Sequence, residues 1–312
     1  MDILKRACYL VLCISIILVF GCARKEKKLQ YLIGFSQYSS VEPVREAINK
    51  SVFEEAEKYF DLLMIKFADA QQDTMKQSID IENFLKLDID LLIVAPGEGE
   101  LVKNAIKKVY ESKKPVIVLD KMLNGEYYTC YIGVDNKEIG VEVGEYVVKI
   151  LNGKGNIVEI CGHPNSYVTI ERSNGFREIV SKYPEIRIIH TDFADWLIPL
   201  AITRMEIALR KYKKIDLVYA YNDAMAIGAY LASRSQGREN QIIFIGTGGL
   251  PGQNGGLKAI IDRKLNATFL YPTYGKEAMQ YALDILNGKI VPKVVKLESN
   301  LITIENVNSF LK

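Results

Sequence analysis

The chain has 312 residues, with a hydrophobic content of 49% and a charged content of 25%, values typical of a folded protein rather than a disordered one. This length is enough for two lobes of ordinary domain size. The formal net charge is +2, and the basic and acidic residues are mixed along the chain, so nothing indicates nucleic acid as the partner.

The N-terminus has the pattern of an export signal. Two basic residues precede the apolar run at residues 7–20, which is too short for an ordinary transmembrane helix. Residues 19–22 (VFGC) resemble the lipobox of bacterial lipoproteins, which implies cleavage after a signal peptide at residues 1–21 and a lipid on the thiol of Cys22. An uncleaved anchor is the alternative, and it also leaves the protein outside the cytoplasmic membrane. Residues 22–30 are predicted to form a charged tether.

Two cysteines remain beyond the signal and Cys22. Cys130 and Cys161 each lie in an apolar, strand-like run, which predicts buried thiols rather than a disulfide framework. Export nevertheless leaves a bridge chemically possible.

The first half of the remaining chain alternates short β runs with helical patterns. Strands are predicted at residues 31–35, 62–67, 91–95, 115–119 and 128–132, and helices at residues 42–59, 74–86 and 101–112. Strands separated by 10–15 residues of helix predict βαβ units and a parallel sheet.

The same pattern then begins again. Strands are predicted at residues 156–160, 186–190, 217–220, 242–245 and 267–271, and helices at residues 139–151, 168–183, 199–211, directly after 220, and 257–263. Two halves of similar order predict two similar α/β lobes.

Motifs for catalysis, metals and nucleotides are missing from the sequence. The glycine-rich stretch at 246–251 lacks the third glycine of a dinucleotide fingerprint, and no GxxxxGK[ST] occurs. His163 and His190 are the only histidines, and no CxxC or HxxxH spacing predicts a zinc site. There is no GxSxG motif, and Glu98 and Glu100 are typical of a solvated loop. The sequence therefore predicts a protein that is not an enzyme and has no cofactor and no metal.

Polar residues follow several predicted strands, at the edge where parallel sheets bind ligands. Gln37 follows the first strand, Asp120 and Lys121 follow the fourth, and Asn222 with Asp223 follow the strand at 217–220. Such residues could hold a small polar molecule. The alternative for Asp223 is that it only caps the next helix.

Arg172 and Trp196 complete a set of side chains suited to sugars. Arginine, aspartate and asparagine can hold sugar hydroxyls by hydrogen bonds, and a tryptophan face packs against the apolar side of a sugar ring. Taken singly, each of these residues also has a structural explanation: a cap, a surface ion pair or a core aromatic.

The chain resembles the type I periplasmic sugar-binding proteins, the group that includes ribose- and galactofuranose-binding proteins and the effector domains of lactose-repressor-like regulators. The resemblance covers about residues 31–306. It is carried by seven stretches in the family's order: residues 34–37 (GFSQ) with Arg45, 68–72 (ADAQQ), 115–121 (PVIVLDK), 133–136 (GVDN), 171–176 (ERSNGF), 194–196 (ADW) and 222–229 (NDAMAIGA).

This resemblance implies an α/β fold of two Rossmann-like lobes with parallel sheets, joined by three crossovers. The N-terminal lobe would be formed by residues 31–134 plus 273–299, and the C-terminal lobe by residues 135–272 plus 300–312. A sugar would bind in the cleft between the lobes.

The resemblance also implies roles for single residues. Asp120 would accept hydrogen bonds from sugar hydroxyls, Arg172 would donate them, and Asn222 would do both, which leaves Asp223 as the helix cap. The remaining positions are the stacking aromatic, the wall of the first lobe and the return of the last crossover: Trp196, Arg45 with Gln37, and Tyr271.

Two positions depart from the family's pattern. Lys121 stands where the family usually has arginine, and lysine lacks the planar fork of that side chain. Gly248 stands where the family usually has an aspartate, so one hydroxyl contact is expected to be lost or taken over by another group.

The sequence thus predicts an exported, lipid-anchored and monomeric protein that binds a monosaccharide or related polyol. Closure of the lobes around the ligand would create a surface that a partner can distinguish. That partner would be an ABC permease that receives the sugar. The alternative is a membrane histidine kinase or chemoreceptor, because residues 250–256 and 271–275 resemble the sensing domains of some hybrid histidine kinases.

Overall fold

The computed structural model describes residues 30–122, 125–253 and 255–311. The predicted signal peptide at 1–21 and the predicted lipidation site Cys22 lie outside these residues, as does the predicted tether apart from Gln30. Within the three described ranges, no helix has both the length and the apolar character needed to cross a bilayer.

The described strands alternate with helices over most of the chain. The strands are β1 (Tyr31–Gln37), β2 (Leu63–Asp69), β3 (Leu91–Ala95), β4 (Val116–Leu119), β5 (Cys130–Gly133), β6 (Gly155–Cys161), β7 (Ile186–Phe193), β8 (Leu217–Ala220), β9 (Ile243–Gly248), β10 (Ala267–Leu270), β11 (Val294–Lys296) and β12 (Leu301–Thr303).

The α-helices between them are α1 (Pro43–Glu57), α2 (Thr74–Lys86), α3 (Glu100–Glu111), α4 (Asn136–Ile150), α5 (Tyr167–Val180), α6 (Ile198–Lys211), α7 (Asp223–Ser235), α8 (Gly256–Ile261) and α9 (Gly275–Leu286). Short 3-10 helices lie at Glu239–Gln241 and Val307–Phe310.

The strands form two six-stranded sheets, one in each lobe. The N-terminal sheet has the order β11-β5-β4-β3-β1-β2, and all its pairings are parallel. The C-terminal sheet has the order β12-β10-β9-β8-β6-β7, in which only the pairing of β10 with β12 is antiparallel. The predicted fold class is therefore confirmed.

The chain passes between the two sheets three times. It leaves the N-terminal sheet after β5, returns between β10 and β11, and leaves again between β11 and β12. Three chain segments therefore connect the two lobes.

The central strands are apolar because helices cover both faces of each sheet. All five residues of β3 are completely buried, as are the four of β4 and the four of β8. The alternation of short apolar runs with amphipathic helices in the sequence therefore has its cause in this layering.

Glycines allow α4 and α5 to pack with their backbones in contact. A Cβ atom added at Gly140 would lie 2.3 Å from the carbonyl oxygen of Arg172, and one added at Gly175 would lie 2.0 Å from that of Lys137. This close packing fixes the position of α5, the helix that carries Arg172.

The elements missed from the sequence are those of the last forty residues. Helix α9 was not predicted, and neither were β11 and β12, because three-residue strands are too short to show a period. Strand β7 also extends to Phe193 and β9 to Gly248, beyond their predicted ends.

The two cysteines beyond the signal are buried free thiols, as predicted. Burial raises the pKa of the Cys130 thiol to about 11, so this group stays protonated at neutral pH.

Candidate ligand-binding site

A cavity of about 620 Å³ lies between the carboxyl ends of the strands of the two lobes. This volume falls within the range of pockets that hold small molecules. Seven of the eight residues predicted to contact the ligand line this cavity: Arg45, Asp120, Lys121, Arg172, Trp196, Asn222 and Tyr271.

Asp120 follows β4 and connects three side chains of the cavity wall. Its Oδ2 atom lies 3.0 Å from Nη2 of Arg45, and its Oδ1 atom accepts a hydrogen bond of 2.6 Å from the Tyr271 hydroxyl. Burial by itself would raise the pKa of Asp120, but the Arg45 guanidinium and the Tyr271 hydroxyl outweigh it and hold the pKa below its usual value. Asp120 is therefore an ionised acceptor in the cavity.

Gln37 does not line the cavity, which corrects its predicted place in the ligand-facing wall. Its side chain is completely buried, donates to Asn49 Oδ1 at 2.7 Å and accepts from Nη1 of Arg45 at 3.2 Å. A glutamine at the end of a strand can lie behind the side chains that line the cavity as easily as among them. Gln37 holds Arg45 in place.

Arg172 reaches the cavity from α5 and is held by neutral oxygen atoms. Its Nε donates to Asn136 Oδ1 at 3.0 Å, and its Nη1 donates to the carbonyl oxygen of Tyr221. The guanidinium also lies 4.9 Å from the centre of the Tyr271 ring. The side chain is thus oriented before any ligand arrives, which reduces the entropy lost on binding.

Asn222, and not Asp223, caps helix α7, which corrects the predicted division of roles between them. Asn222 Oδ1 accepts a hydrogen bond of 2.7 Å from the Met225 amide, and its Nδ2 donates to the Trp196 carbonyl at 3.1 Å. Asn222 therefore lines the cavity while it also caps a helix and holds the loop that carries the tryptophan.

Trp196 lies in a strained loop that faces the cavity. Asp195 and Trp196 both have left-handed backbone conformations, with φ values of 46° and 68°. The indole ring packs on Gly162, where an added Cβ atom would lie 2.1 Å from the ring. Asn222 and Gly162 together hold the ring at the cavity wall despite the cost of the backbone strain.

Asp223 is buried behind the cavity. It accepts hydrogen bonds from the Thr268 hydroxyl at 2.6 Å and from the Gly249 amide at 2.7 Å. An added Cβ atom at Gly248 would lie 2.6 Å from its carboxylate, and one at Gly256 would lie 2.0 Å from it. The glycine in place of the family's usual aspartate at 248 therefore leaves room for the Asp223 carboxylate.

Asp223 is expected to make stability decrease as the pH rises from about 4 to 6. Burial raises its pKa from 3.8 to about 6, so the folded state binds the proton more tightly than the unfolded state does. The protonated form therefore stabilises the fold, and we expect a contribution of roughly 2 to 3 kcal/mol below pH 4 that is lost by about pH 6. Urea unfolding at several pH values should show a smaller decrease for Asp223→Asn than for the wild type. The exposed Asp61→Asn serves as the control, and equal slopes for all three proteins would contradict the assignment.

Glu98 lies at the cavity mouth and was missed by the sequence analysis, which placed it in a solvated loop. Its Oε1 atom lies 3.1 Å from Nζ of Lys121 and accepts a hydrogen bond of 3.1 Å from the Tyr167 amide of the opposite lobe. Burial lowers the pKa of Lys121, and the nearby Arg45 lowers it further, while Glu98 acts in the opposite direction. Glu98 follows β3 closely, so the rule that identified Asp120 at the end of β4 could have found it.

The described residues of the site do not include a cluster of side chains suited to binding a metal ion. Among the residues that the structure describes, no cluster of three or more histidine, cysteine, aspartate or glutamate side chains could hold a metal ion.

Comparisons with known proteins agree with this geometry. The family model described as a periplasmic binding protein domain matches residues 33–290. The ribose import binding protein of Bacillus subtilis (strain 168) is 28% identical over 312 residues, covering 96% of this chain and 99% of that protein. The galactofuranose-binding protein of Escherichia coli (strain K12) is 30% identical and covers 76% of each chain.

Two solved structures are similar over nearly the whole described fold. The fructose-binding periplasmic domain of a hybrid two-component system is 37% identical with a TM-score of 0.84, covering 90% of this chain and 93% of that one. An ABC transporter solute-binding protein from Bacillus halodurans C-125 with bound myo-inositol is 26% identical with a TM-score of 0.85, covering 92% and 99%.

Proposed function

Because this chain belongs to the family of periplasmic binding protein domains, we propose that it binds a monosaccharide or related polyol between its lobes and delivers it to an ABC transporter. The observation that supports this most directly is the cavity wall, in which the ionised Asp120 and the oriented Arg172 come from opposite lobes. A ligand with several hydroxyl groups could bind both at once and so favour the closed arrangement of the lobes.

The chemistry of the wall fits a sugar better than an apolar ligand. Asp120 can accept hydrogen bonds, Arg172 can donate them, and charge-assisted bonds of this kind are stronger than neutral ones. Trp196 offers an aromatic face on the same cavity. The relatives named above are binding proteins, which supports a role in binding rather than in catalysis.

Sensing is the second candidate function. The 37% identity to the fructose-binding periplasmic domain of a hybrid two-component system favours it, because a two-component system is a signalling system. In this case closure of the lobes would be detected by a membrane histidine kinase or chemoreceptor.

We place the protein outside the cytoplasmic membrane, as periplasmic binding proteins are. The sequence of residues 1–22 supports a cleaved signal peptide and a lipid on Cys22. Metabolic labelling with radioactive palmitate should mark the wild type, and Cys22→Ser should lose the label.

We also propose that the lobes hinge where the chain passes between them, near residues 134–135, 272–273 and 299–300.

Sugar binding is expected to raise the melting temperature. The chain from residue 23 onward contains the whole described fold and can be screened against D-fructose, D-ribose, L-arabinose, D-galactose and myo-inositol. A ligand present at 100 times its dissociation constant stabilises the fold by about 2.7 kcal/mol through mass action. An unchanged melting temperature with every sugar would contradict sugar binding. Chemical analysis of the same mixtures for reaction products would reveal whether the protein converts a sugar catalytically.

Uptake and gene induction would separate the two candidate functions. If the protein delivers sugar, deleting its gene should abolish uptake of the radioactive sugar identified in the screen. If it senses sugar, uptake should persist while induction of sugar-responsive genes is lost.

A further inference from the structure

Helix α5 carries Arg172, yet its own sequence leaves its N-terminus without a side-chain cap. The N-cap residue Ser166 makes no capping hydrogen bond with its side chain, and the first turn contains no acidic residue. The first amide groups of a helix lack partners within the helix and carry a partial positive charge.

The other lobe supplies a hydrogen-bond acceptor for the first amide group of α5. Glu98 lies in the N-terminal lobe between β3 and α3, and its Oε1 atom accepts a hydrogen bond of 3.1 Å from the Tyr167 amide, the first residue of α5. A carboxylate at this position satisfies an amide and interacts favourably with the helix dipole.

Glu98 is oriented for this contact by Lys121. The Lys121 ammonium lies 3.1 Å from the same carboxylate oxygen, and only 14% of the Lys121 side chain is exposed. Lys121 directly follows Asp120, so the residue that holds Glu98 is next in the chain to a predicted ligand contact. These contacts connect the cavity wall of one lobe to the helix that bears the arginine of the other.

We propose that Glu98 is an interlobe latch, a carboxylate that caps α5 only when the two lobes are closed. This inference rests on the proposed function, because the latch regulates the lifetime of a bound sugar. Opening the cleft separates Glu98 from α5, leaves the Tyr167 amide without its partner and exposes the ion pair with Lys121 to water. The latch therefore stabilises the closed arrangement by a direct contact between the lobes.

A contact made only after closure acts on release rather than on capture. The open protein meets the sugar before Glu98 reaches α5, so the association rate should not depend on the latch. The dissociation rate should depend on the latch, because the contact between Glu98 and α5 must break before the lobes open and the sugar leaves. Removing a helix cap of this kind corresponds to roughly a 3- to 30-fold change in an equilibrium.

The test compares Glu98→Ala, Glu98→Gln and the matched control Glu100→Ala with the wild type. Glu100 lies two residues away and pairs with Lys103 of its own lobe. Nitroxide labels on cysteines introduced at the exposed residues Leu87 and Leu231 report the distance between the lobes, with and without D-fructose or myo-inositol. Rapid mixing gives the association and dissociation rates of the same two sugars.

We expect Glu98→Ala to shift the distance distribution toward separated lobes and to release sugar roughly 3 to 30 times faster with an unchanged association rate. Glu98→Gln can still accept the Tyr167 hydrogen bond but cannot pair with Lys121, so it should be intermediate, and Glu100→Ala should match the wild type. If Glu98→Ala matches the wild type in both measurements, the latch is wrong.

The distance measurement also separates a failure of the latch from a failure of the proposed function. If neither sugar binds to the wild type, a shift toward separated lobes in Glu98→Ala alone still supports the latch, and an unchanged distribution overturns it.

Discussion

Asp120→Ala is expected to lower the free energy of unfolding by roughly 3 to 5 kcal/mol and to abolish sugar binding. The buried Arg45 guanidinium would lose its partner carboxylate, which lies 3.0 Å away, and the Tyr271 hydroxyl would lose its acceptor. An unpaired buried charge costs far more than the pair itself contributes, because its loss of hydration is no longer offset.

Urea unfolding monitored by circular dichroism would measure this change. Glu54→Ala provides the control, since its pair with Lys50 is largely exposed and exposed pairs contribute little. The double variant Arg45→Met with Asp120→Leu should recover most of the lost stability while still failing to bind sugar. If Asp120→Ala unfolds like the wild type, Asp120 and Arg45 are not the buried pair described.

Arg172→Ala is expected to weaken sugar binding by roughly 10- to 150-fold, the range for hydrogen bonds to a charged group. The variant removes the guanidinium that α5 contributes to the cavity wall, while Asn136 and Tyr221 keep their own positions in α4 and after β8. Calorimetric titration with the best sugar from the thermal screen would measure the loss of affinity.

Two further variants make this result specific. Arg210→Ala removes an exposed arginine from the surface of α6 and should bind sugar normally. Arg172→Lys keeps the charge but loses the planar fork, so it should recover only part of the affinity. Equal affinities for Arg172→Ala and the wild type would place the sugar away from α5.

The cleft contains direct contacts between the two lobes. Tyr271 follows β10 in the C-terminal sheet, yet its hydroxyl binds Asp120 at the end of β4 in the N-terminal sheet. Its ring also lies under the Arg172 guanidinium. Tyr271 therefore supports both charged groups of the wall, and a sugar bound as proposed would share the Asp120 carboxylate with it.

The local pattern of the sequence determined most of the fold. Helix α2 and strands β3 and β8 begin and end where the spacing of apolar residues predicted. These elements follow from period and propensity, which are properties of neighbouring residues. The strand-end rule also selected Asp120, Lys121 and Asn222, which line one cavity because parallel strands bring their carboxyl ends to a common edge.

Only the tertiary structure shows which polar residues face the cavity and which cap helices or support their neighbours. Gln37 lies behind Arg45, Asn222 takes the capping role expected of Asp223, and Glu98 contacts a helix 69 residues away. The Glu98 contact joins residues far apart in the chain, which no local pattern contains. The partners of Gln37 and Asn222 are only 8 and 3 residues away, but a local pattern does not show which polar side chain faces the cavity and which supports it. Local sequence patterns were enough to predict the two α/β lobes and the sheet edge that lines the cavity, whereas packing within and between the lobes fixed which residues touch the cavity and which support it.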